Sequence, residues 1–359
     1  MSSHGVIEQI LDLARWAPSG DNTQPWRFEI VDASTMVVHG FDTRDHVVYD
    51  LDGRPSQISL GALLETMSIA ASVHGLSMQA RRRENWPDTT PTFDVQFSAD
   101  PTGRLDPLVA SITKRSVQRR PMSTRALTQG EKRALEESVG ADYRILWLES
   151  FRDRFRTARL MFLNARLRLT MPEAYLVHRD AIQWRARFSE DRVPDQALGI
   201  DPMTARLMRF VMKSWARVDF FNTYLAGTLA PRIQMDFIPG LACAAHFVMK
   251  SRRKPSSIDD FVAAGRAVQR FWLTVTQLGL FQQPEMTPLI FGSYVRNGIQ
   301  FTSVAKLAND ARQLEIATRT VVGADVDSAV WMGRIGAGSA PISRSTRRPL
   351  EQLMLPAAK

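Results

Sequence analysis

Two long segments carry apolar residues almost all the way round a helical period. They are residues 57–76, QISLGALLETMSIAASVHGL, and residues 258–280, IDDFVAAGRAVQRFWLTVTQLGL. A helix that is apolar on every side is typical of the interior of a domain. Both segments have small residues early, an apolar middle and a closing Gly-Leu pair, at Gly75 and Gly279. The pattern predicts two core helices and favours a degenerate internal duplication.

The segments around these helices predict a mixture of helices and strands. The periodicity of residues 6–16 predicts a helix, which Pro18 and Gly20 end. Residues 108–139 predict a helix, a basic turn and a second helix with Thr128 as its N-cap. The remaining pattern predicts a β-hairpin at 27–42, strands at 91–97, 143–149 and 326–336, and a central strand at 239–249. Residues 151–230 are predicted to be mostly helical.

The composition is that of an ordinary globular protein. Of 359 residues, 44% are hydrophobic and 23% are charged, so one large domain or two modest ones stay open. The single cysteine, Cys243, lies in an apolar run and is expected to be a buried thiol. No secretory leader is visible, nor an apolar run near the ~18 residues of a membrane-spanning helix. We therefore expect a cytoplasmic protein without a transmembrane segment.

Charge and histidine spacing narrow the candidate chemistry. The chain has 46 Lys+Arg against 37 Asp+Glu, a formal net charge of +9, which suits an anionic ligand. Its basic residues form short dispersed clusters without a zinc-finger or aromatic RNA-binding motif, so no nucleic-acid partner is expected. The six histidines lack metal-ligand spacing, and no nucleophile elbow or nucleotide-binding glycine loop occurs. Neither a metal site nor a catalytic side chain is predicted.

Two polar motifs, far apart in the chain, remain as candidates for a site. The first, APSGDNTQPW at 17–26, offers hydrogen-bonding side chains on a sharp turn set by proline and glycine. The second, KRSVQRR at 114–120, is a basic turn able to hold a phosphate. Each also has a plain structural interpretation. The first motif could simply end a helix, and the second could be a solvated basic face.

Together the two motifs resemble those of the FMN-dependent nitroreductase superfamily. Its members combine a basic R-[RK]-S-x-[RK] turn with an A-P-S-x-x-N-x-Q-P-W turn, and the flavin lies between two subunits. Here the order of the turns is reversed, which is similar to the tandem, pseudo-dimeric branch of Acg-type proteins. The resemblance implies an α+β fold of two degenerate fused repeats, each with a mainly antiparallel sheet around long core helices. The implied halves are residues 1–104 and 105–359, with a helical insertion around 151–235 and one complete flavin site.

The resemblance also implies which residues bind the cofactor, FMN. Those expected at the flavin ring are Pro18, Ser19, Gly20 and Asn22; those at the phosphate are Lys114, Arg115, Ser116, Gln118, Arg344, Arg347 and Arg348; and those at the N5 edge are Gln283, Pro284, Glu285 and Met286. Gln118 stands where many members have a basic residue. Because hydride arrives and leaves at the flavin N5, the protein needs no acid–base side chain for that chemistry.

Three functions are compatible with these motifs. The first is an FMN-dependent oxidoreductase that passes electrons from NAD(P)H to a small aromatic, quinone-like or nitro acceptor by ping-pong exchange. The second is an FMN storage or sequestration protein with little turnover. The third is a biosynthetic flavoenzyme that acts with a ThiF-like adenylating partner. The oligomeric state is a separate question, and a homodimer is left open. Residues 207–232 have Met and aromatic residues at helical spacing, with arginines between them. This pattern is compatible with a core-facing helix, an apolar lid over the flavin or a segment that lies on a membrane surface.

Overall fold

The computed structural model describes residues 3–356, which form helices packed on two antiparallel sheets. The helices are α1 (Ser3–Ala14), α2 (Arg54–Ala71), α3 (Gln129–Ser138), α4 (Phe151–Leu169), α5 (Pro172–Ala181), α6 (Pro202–Val211), α7 (Trp215–Tyr224), α8 (Leu229–Arg232), α9 (Ile238–Leu241), α10 (Ile258–Gln277), α11 (Thr287–Asn297) and α12 (Ala305–Val322). The strands are β1 (Trp26–Ile30), β2 (Thr35–Gly40), β3 (Leu76–Arg82), β4 (Thr92–Ala99), β5 (Tyr143–Leu148), β6 (Ile182–Gln183), β7 (Phe188–Ser189), β8 (Val193–Pro194), β9 (Ala245–Ser251), β10 (Leu280–Pro284), β11 (Ala329–Ala337) and β12 (Arg344–Ser345).

The two larger sheets have four antiparallel strands each and the same connections. The first has the order β1-β2-β4-β3, and the second has the order β5-β9-β11-β10. In both, a long helix, α2 or α10, joins the second strand to the third, and the fourth strand lies between those two. The fold class is therefore α+β, as predicted, with one topology used twice.

Helices α2 and α10 cross in backbone contact at two glycines. A Cβ atom on Gly61 would lie 2.0 Å from the carbonyl oxygen of Val262, and one on Gly265 would lie 2.1 Å from the carbonyl oxygen of Ile58. The contact is reciprocal, because Ile58 precedes Gly61 by the same three positions as Val262 precedes Gly265. Only glycine allows this approach. The crossing joins the two helices that hold the same place in the strand order of the two sheets.

The ends of these helices repeat the same equivalence. Gly75 and Gly279 follow α2 and α10 with φ of +64° and +69°, the left-handed conformation that glycine adopts freely. Strands β3 and β10 then begin at the next residue, Leu76 or Leu280. Gly61 and Gly265 are 204 positions apart, as are Gly75 and Gly279. The shared Gly-Leu signal in the sequence thus marks the same helix-to-strand turn in both halves.

The second sheet is covered on both faces, whereas the first is covered on one. Phe247 and Met249 of β9 pack with α10, and the alternate residue Val248 belongs to a core shared with α4, α11 and α12. In the first sheet, Trp26 and Phe28 of β1 pack with α1 and α2. Alternation along a strand explains both patterns, because successive side chains point to opposite faces. The predicted central strand is β9, which is buried along nearly its whole length.

Helices α4–α9 form an insertion between the first and second strands of the second sheet. Leu160 and Leu167 of α4 join the core of that sheet, whereas α6 has no fully buried residue. The prediction of mostly helical structure over 151–230 is confirmed. Within residues 3–356, none of the helices is long and apolar enough to cross a bilayer.

Some predicted elements differ from the structure. The helix expected at the start of 108–139 is wrong: only a short 3-10 turn, Val109–Ser111, forms there. The chain that follows this turn instead runs parallel to β10, and Val117 forms an isolated β-bridge with Gln282. The strand predicted at 239–249 begins only at Ala245, because its first residues form α9. The Thr128 cap is confirmed as a capping box with Glu131, and Cys243 is buried.

The C-terminal residues cross from the second sheet to the first. After β11 the chain pairs β12 with β7 in parallel, and it then reaches β1. There the Phe28 N–H donates to the Leu353 carbonyl at 2.8 Å, and the Leu355 N–H donates to the Phe28 carbonyl at 2.7 Å. This path carries the basic residues 344–348 past the turn that follows α1.

Gly61→Ala tests the helix crossing. The added methyl group would overlap the Val262 carbonyl, so we expect the free energy of unfolding to fall by about 3 kcal/mol. In Gly130→Ala the new Cβ would lie 4.0 Å from its nearest neighbour, and we expect a change within about 1 kcal/mol. Urea unfolding of both variants measures this. Equal destabilisation would contradict the close crossing.

Candidate functional site

Residues of the two sequence motifs meet in one cleft. The cleft is open to solvent, and its space, part of which is open solvent, amounts to about 570 Å³. Its lining residues come from the turn after α1, the basic turn, the insertion, α10 and the C-terminal segment: Pro18, Ser19, Asp21, Asn22, Arg115, Ser116, Val117, Arg119, Val193, Ala197, Trp272, Ser343, Arg344, Ser345 and Arg347.

The turn after α1 has an unusual backbone. Asp21, Asn22 and Gln24 have φ of +47°, +64° and +51°, a conformation that costs a residue with a side chain roughly 1 kcal/mol or more. The Ser19 Oγ accepts a hydrogen bond from the Gln24 N–H at 2.9 Å and closes the turn. Trp26, with no exposed surface, anchors the strand that follows. The surrounding structure therefore holds the turn in a conformation that its own residues do not prefer.

The amide of Asn22 ties this turn to the insertion and the C-terminal segment. Its Nδ2 donates to the carbonyls of Glu190 at 3.0 Å and Thr346 at 3.2 Å. The Gln24 Nε2 also donates to the Glu190 carbonyl, at 2.8 Å. These bonds fix residues 188–194 against the turn. The amide group expected at a flavin ring is thus engaged with backbone, and its contact with a ring stays a prediction.

Arg115 is buried without a carboxylate partner. It is 5% exposed, donates from Nη2 to the Trp16 carbonyl at 2.9 Å, and lies 4.5 Å from the centre of the Trp272 ring. Burial, followed by the charges of Arg347 and Arg344, holds the pKa of Arg115 well below its ordinary value. The Trp16 carbonyl and the face of the Trp272 ring stabilise this cation, but they offset only part of the free-energy cost of removing it from water.

Two arginines of the C-terminal segment share this environment. Arg347 is 8% exposed and donates from Nε to the Ala17 carbonyl at 2.9 Å. Burial lowers its pKa to about 9, with further contributions from Arg344 and Arg15. Arg344 donates to the Thr113 carbonyl at 2.8 Å, and burial lowers its pKa too. Within residues 3–356, no ion pair includes Arg115, Arg344 or Arg347.

The cleft therefore combines concentrated positive charge with unsatisfied polar atoms. A buried polar atom without a hydrogen bond costs roughly 1–3 kcal/mol. Four lining residues have such atoms: Asn22 Oδ1, Arg115 Nε, Trp272 Nε1 and Ser343 Oγ. An anion would offset the positive charge and could accept hydrogen bonds from the donors Arg115 Nε, Trp272 Nε1 and Ser343 Oγ, whereas Asn22 Oδ1 is itself an acceptor. The arrangement suits a phosphate or a similar group attached to a larger molecule.

Several predicted site residues lie outside this lining. They are Gly20, Lys114, Gln118 and Arg348. Lys114 is exposed to solvent. The Gln118 amide donates to the Ser339 carbonyl at 2.8 Å, and Arg348 lies 3.5 Å from the Asp191 carboxylate. The structure thus gives Gln118 and Arg348 local partners of their own.

Of the predicted residues 283–286, Glu285 lies in a buried cluster next to the basic turn, where Arg334 Nη2 donates to the Arg119 carbonyl at 2.9 Å. The Glu285 carboxylate contacts His246 Nδ1 at 2.7 Å and Arg334 Nη1 at 3.0 Å, and all three side chains are buried. His246 Nε2 faces the Gly240 carbonyl at 2.8 Å. Because both ring nitrogens of His246 face acceptors, both carry hydrogen, and the ring is an imidazolium. Gln283 and Pro284 end β10, and Met286 precedes α11.

Five lining residues had no distinctive signal in the sequence. They are Val193, Ala197, Trp272, Ser343 and Ser345. Trp272 lies on the buried face of α10, so its contact with Arg115 could not be separated from ordinary core packing. Val193 and Ala197 belong to the insertion and reach the cleft only through tertiary packing. Arg119 lies within the basic turn itself, where neighbouring cations masked it.

Comparisons with known proteins show where the similarity of this chain lies. The family model described as "Nitroreductase family" matches residues 3–52. An uncharacterized protein of Mycobacterium tuberculosis (strain CDC 1551 / Oshkosh) is 22% identical over 317 residues, 88% of this chain and 43% of that protein. The "Putative NAD(P)H nitroreductase acg" of M. tuberculosis strains CDC 1551 / Oshkosh and ATCC 25618 / H37Rv is 32% identical over 100 residues, 27% of this chain and 29% of that protein.

The chain thus matches less than half the length of each of these curated relatives. Among solved structures, it is similar to a "putative nitroreductase in complex with fmn" from Desulfovibrio desulfuricans. The superposition covers 71% of this chain and 98% of that one, with a TM-score of 0.33 and 14% sequence identity.

The buried imidazolium gives a testable pH dependence. Burial alone would lower the pKa of His246, but the charge of Glu285 and the hydrogen bonds to the ring raise it to about 10. The stabilisation is complete below the ordinary histidine pKa of about 6.5 and is lost as the pH rises through about 10. In NMR spectra of ¹³C-labelled histidine, we expect His246 to keep its protonated shift at pH 8.5.

Glu285→Gln removes the charge that holds the proton, so His246 should titrate below pH 7 in that variant. Glu315→Gln, a buried carboxylate in another core, is the matched control and should leave the His246 signal unchanged. A wild-type His246 signal that moves to its neutral position by pH 8 would contradict the assignment.

Proposed function

We propose that the chain is an FMN-dependent oxidoreductase, supported by the match of the nitroreductase family model to residues 3–52 and by the 32% identity over 100 residues to a putative NAD(P)H nitroreductase. The observation that supports this most directly is the group formed by buried Arg115, buried Arg347 and half-buried Arg344, none of which has an ion-pair partner within residues 3–356, although the Asp21 carboxylate also lines the cleft. A flavin phosphate is dianionic and accepts several charge-assisted hydrogen bonds, which arginine donates well. In this proposal the three guanidinium groups bind the phosphate of FMN.

The remaining lining residues fit the rest of such a molecule. Pro18 and Ser19 are on the rigid turn, and Val117, Val193 and Ala197 supply apolar surface. When bound, FMN supplies hydride-transfer chemistry that amino-acid side chains lack. The chain's own residues would neutralise the phosphate, hold the ring against the turn after α1 and restrict water. The proposed electron donor is NAD(P)H, and the proposed acceptor is a small aromatic, quinone-like or nitro compound. The two would bind in turn, in a ping-pong reaction.

We also infer that the two halves are fused repeats in which one flavin site survives. The proposed halves are residues 1–104 and 105–359, and the repeated strand order supports them. The offset of 204 positions that relates Gly61 to Gly265 places Ser68 opposite Trp272. The first half therefore has no aromatic side chain at the place where Arg115 stacks. A cytoplasmic location, and any homodimer, stay predictions of the same proposal.

The second candidate function is flavin storage with little turnover. The observation that favours it is the pair of hydrogen bonds from Asn22 to the carbonyls of Glu190 and Thr346. They hold residues 188–194 over the turn where a ring would lie, and so limit access from that side. The two candidates share one binding site and differ only in whether a donor and an acceptor reach it.

The test begins with the visible spectrum of the purified protein, reconstituted with FMN where needed. We expect a flavin spectrum that NADH or NADPH bleaches without oxygen and that a quinone or nitroaromatic restores. A flavin spectrum that neither nicotinamide bleaches would favour storage. A protein that cannot be loaded with FMN would contradict both candidates.

Arg115→Met and Arg347→Met test the phosphate contacts. Each removes charge-assisted hydrogen bonds of about 1.5–3 kcal/mol, so FMN affinity should fall by roughly 10- to 100-fold per variant. The stability of the flavin-free protein should not fall, because each change removes a buried charge that its neighbours repel. Arg120→Met, at an exposed position of the same turn, is the matched control and should keep its affinity.

A further inference from the structure

Helices α6 and α7 follow each other along the chain, and several of their large apolar side chains are exposed to solvent. Helix α6 has no buried residue, and Val218 is the one buried residue of α7. Met203 is 77% exposed and Tyr224 is 72% exposed. Large apolar side chains that are exposed together on a surface mark a binding site more often than a solvated face.

The exposed residues are arranged in stripes along the two helices. Met203, Leu207 and Phe210 recur at spacings of four and three positions, so they lie on one face of α6. Phe220 and Tyr224 lie one turn apart on α7, with ring centres 5.2 Å apart. These five side chains are what we call the α6–α7 surface.

Basic residues are interspersed along the chain with the residues of the α6–α7 surface. Residues 202–224 carry Arg206, Arg209, Lys213 and Arg217 against a single carboxylate, Asp219. Among residues 3–356, no ion pair includes any of these four cations. Arg217 instead lies 4.3 Å from the centre of the Phe210 ring and donates to the Phe210 carbonyl. The two helices therefore combine apolar anchors with cations that form no ion pair within residues 3–356.

We propose that the α6–α7 surface docks on an anionic lipid bilayer. A helix with aromatic and aliphatic residues on one face and Lys/Arg beside them lies in the membrane interface, and anionic headgroups attract its cations. Charge complementarity argues against a second copy of the chain as the occupant. In a two-fold dimer the same patch meets itself, which would bring four cations against four.

The docking surface lies directly behind one wall of the cleft. The inward residues of α6, Ala205 and Met208, pack on a small core that contains Val193 and Leu198. Val193 itself lines the cleft, and Leu198 follows the lining residue Ala197. Docking would therefore hold the cleft next to the bilayer surface. The proposal does not depend on flavin binding, because it rests on α6 and α7 alone.

Vesicle flotation of the whole protein tests the proposal. We expect the protein to float with vesicles of phosphatidylcholine and phosphatidylglycerol, and to float less at high salt, which screens the attraction. It should stay unbound with phosphatidylcholine alone. No flotation with the anionic vesicles, or equal flotation with both compositions, would overturn the proposal.

Two variants locate the contact. Arg206→Gln with Lys213→Gln should weaken partitioning by about 25-fold, since each cation near an anionic surface contributes roughly fivefold. Leu207→Glu with Phe210→Glu should abolish flotation, and neither pair replaces a buried residue, so folding should be retained. The matched controls lie on α12: Lys306→Gln with Arg312→Gln, and Ile316→Glu at a side chain that is 57% exposed.

The controls should float like the wild type. If they lose flotation as the test variants do, the binding is a general effect of charge and the proposal is overturned. Size-exclusion chromatography without lipid gives the other decisive result. A dimer that Leu207→Glu with Phe210→Glu converts to monomer would show that a second copy covers the surface, and would overturn lipid docking.

Discussion

The crossing of α2 and α10 at Gly61 and Gly265 determines where everything else in the molecule lies. Because a Cβ atom on either glycine would overlap a carbonyl of the other helix, the two helices meet backbone to backbone. Each helix leads into the third strand of its own sheet, so the crossing also sets the positions of both sheets. The turn after α1 and the basic turn before α3 are brought to one cleft by this arrangement. The cleft therefore depends on how α2 and α10 pack against each other.

The cleft is costly for the protein to maintain without a ligand. Arg115 and Arg347 are almost fully buried, and the groups that hold them are carbonyls and an aromatic ring. Buried cations without a counter-charge destabilise a fold, and the positive φ values of the turn add further strain. A bound anion would offset these terms, so ligand binding and stability should be linked. The Asn22 and Gln24 amides close the other side of the cleft with direct hydrogen bonds.

The parts of this structure that the sequence could predict are those with local causes. The two core helices, the capping box at Thr128 and the two motifs follow from spacing and residue chemistry over a few positions. The cleft residues Trp272 and Val193 could not be identified, because their role depends on which distant segment packs on them. The same holds for Glu285, which meets His246 and Arg334 only in the folded sheet. The helix predicted before residue 114 failed because pairing of Val117 with β10 outweighed local helix propensity.

The central claim is that the buried arginines bind the phosphate of a flavin. Measuring the dissociation constants of FMN and riboflavin for the same flavin-free protein tests it most directly, since the two ligands share a ring and differ in the phosphate. The account predicts that FMN binds at least about a hundredfold more tightly, from a few charge-assisted hydrogen bonds. Equal affinity for the two ligands would contradict it.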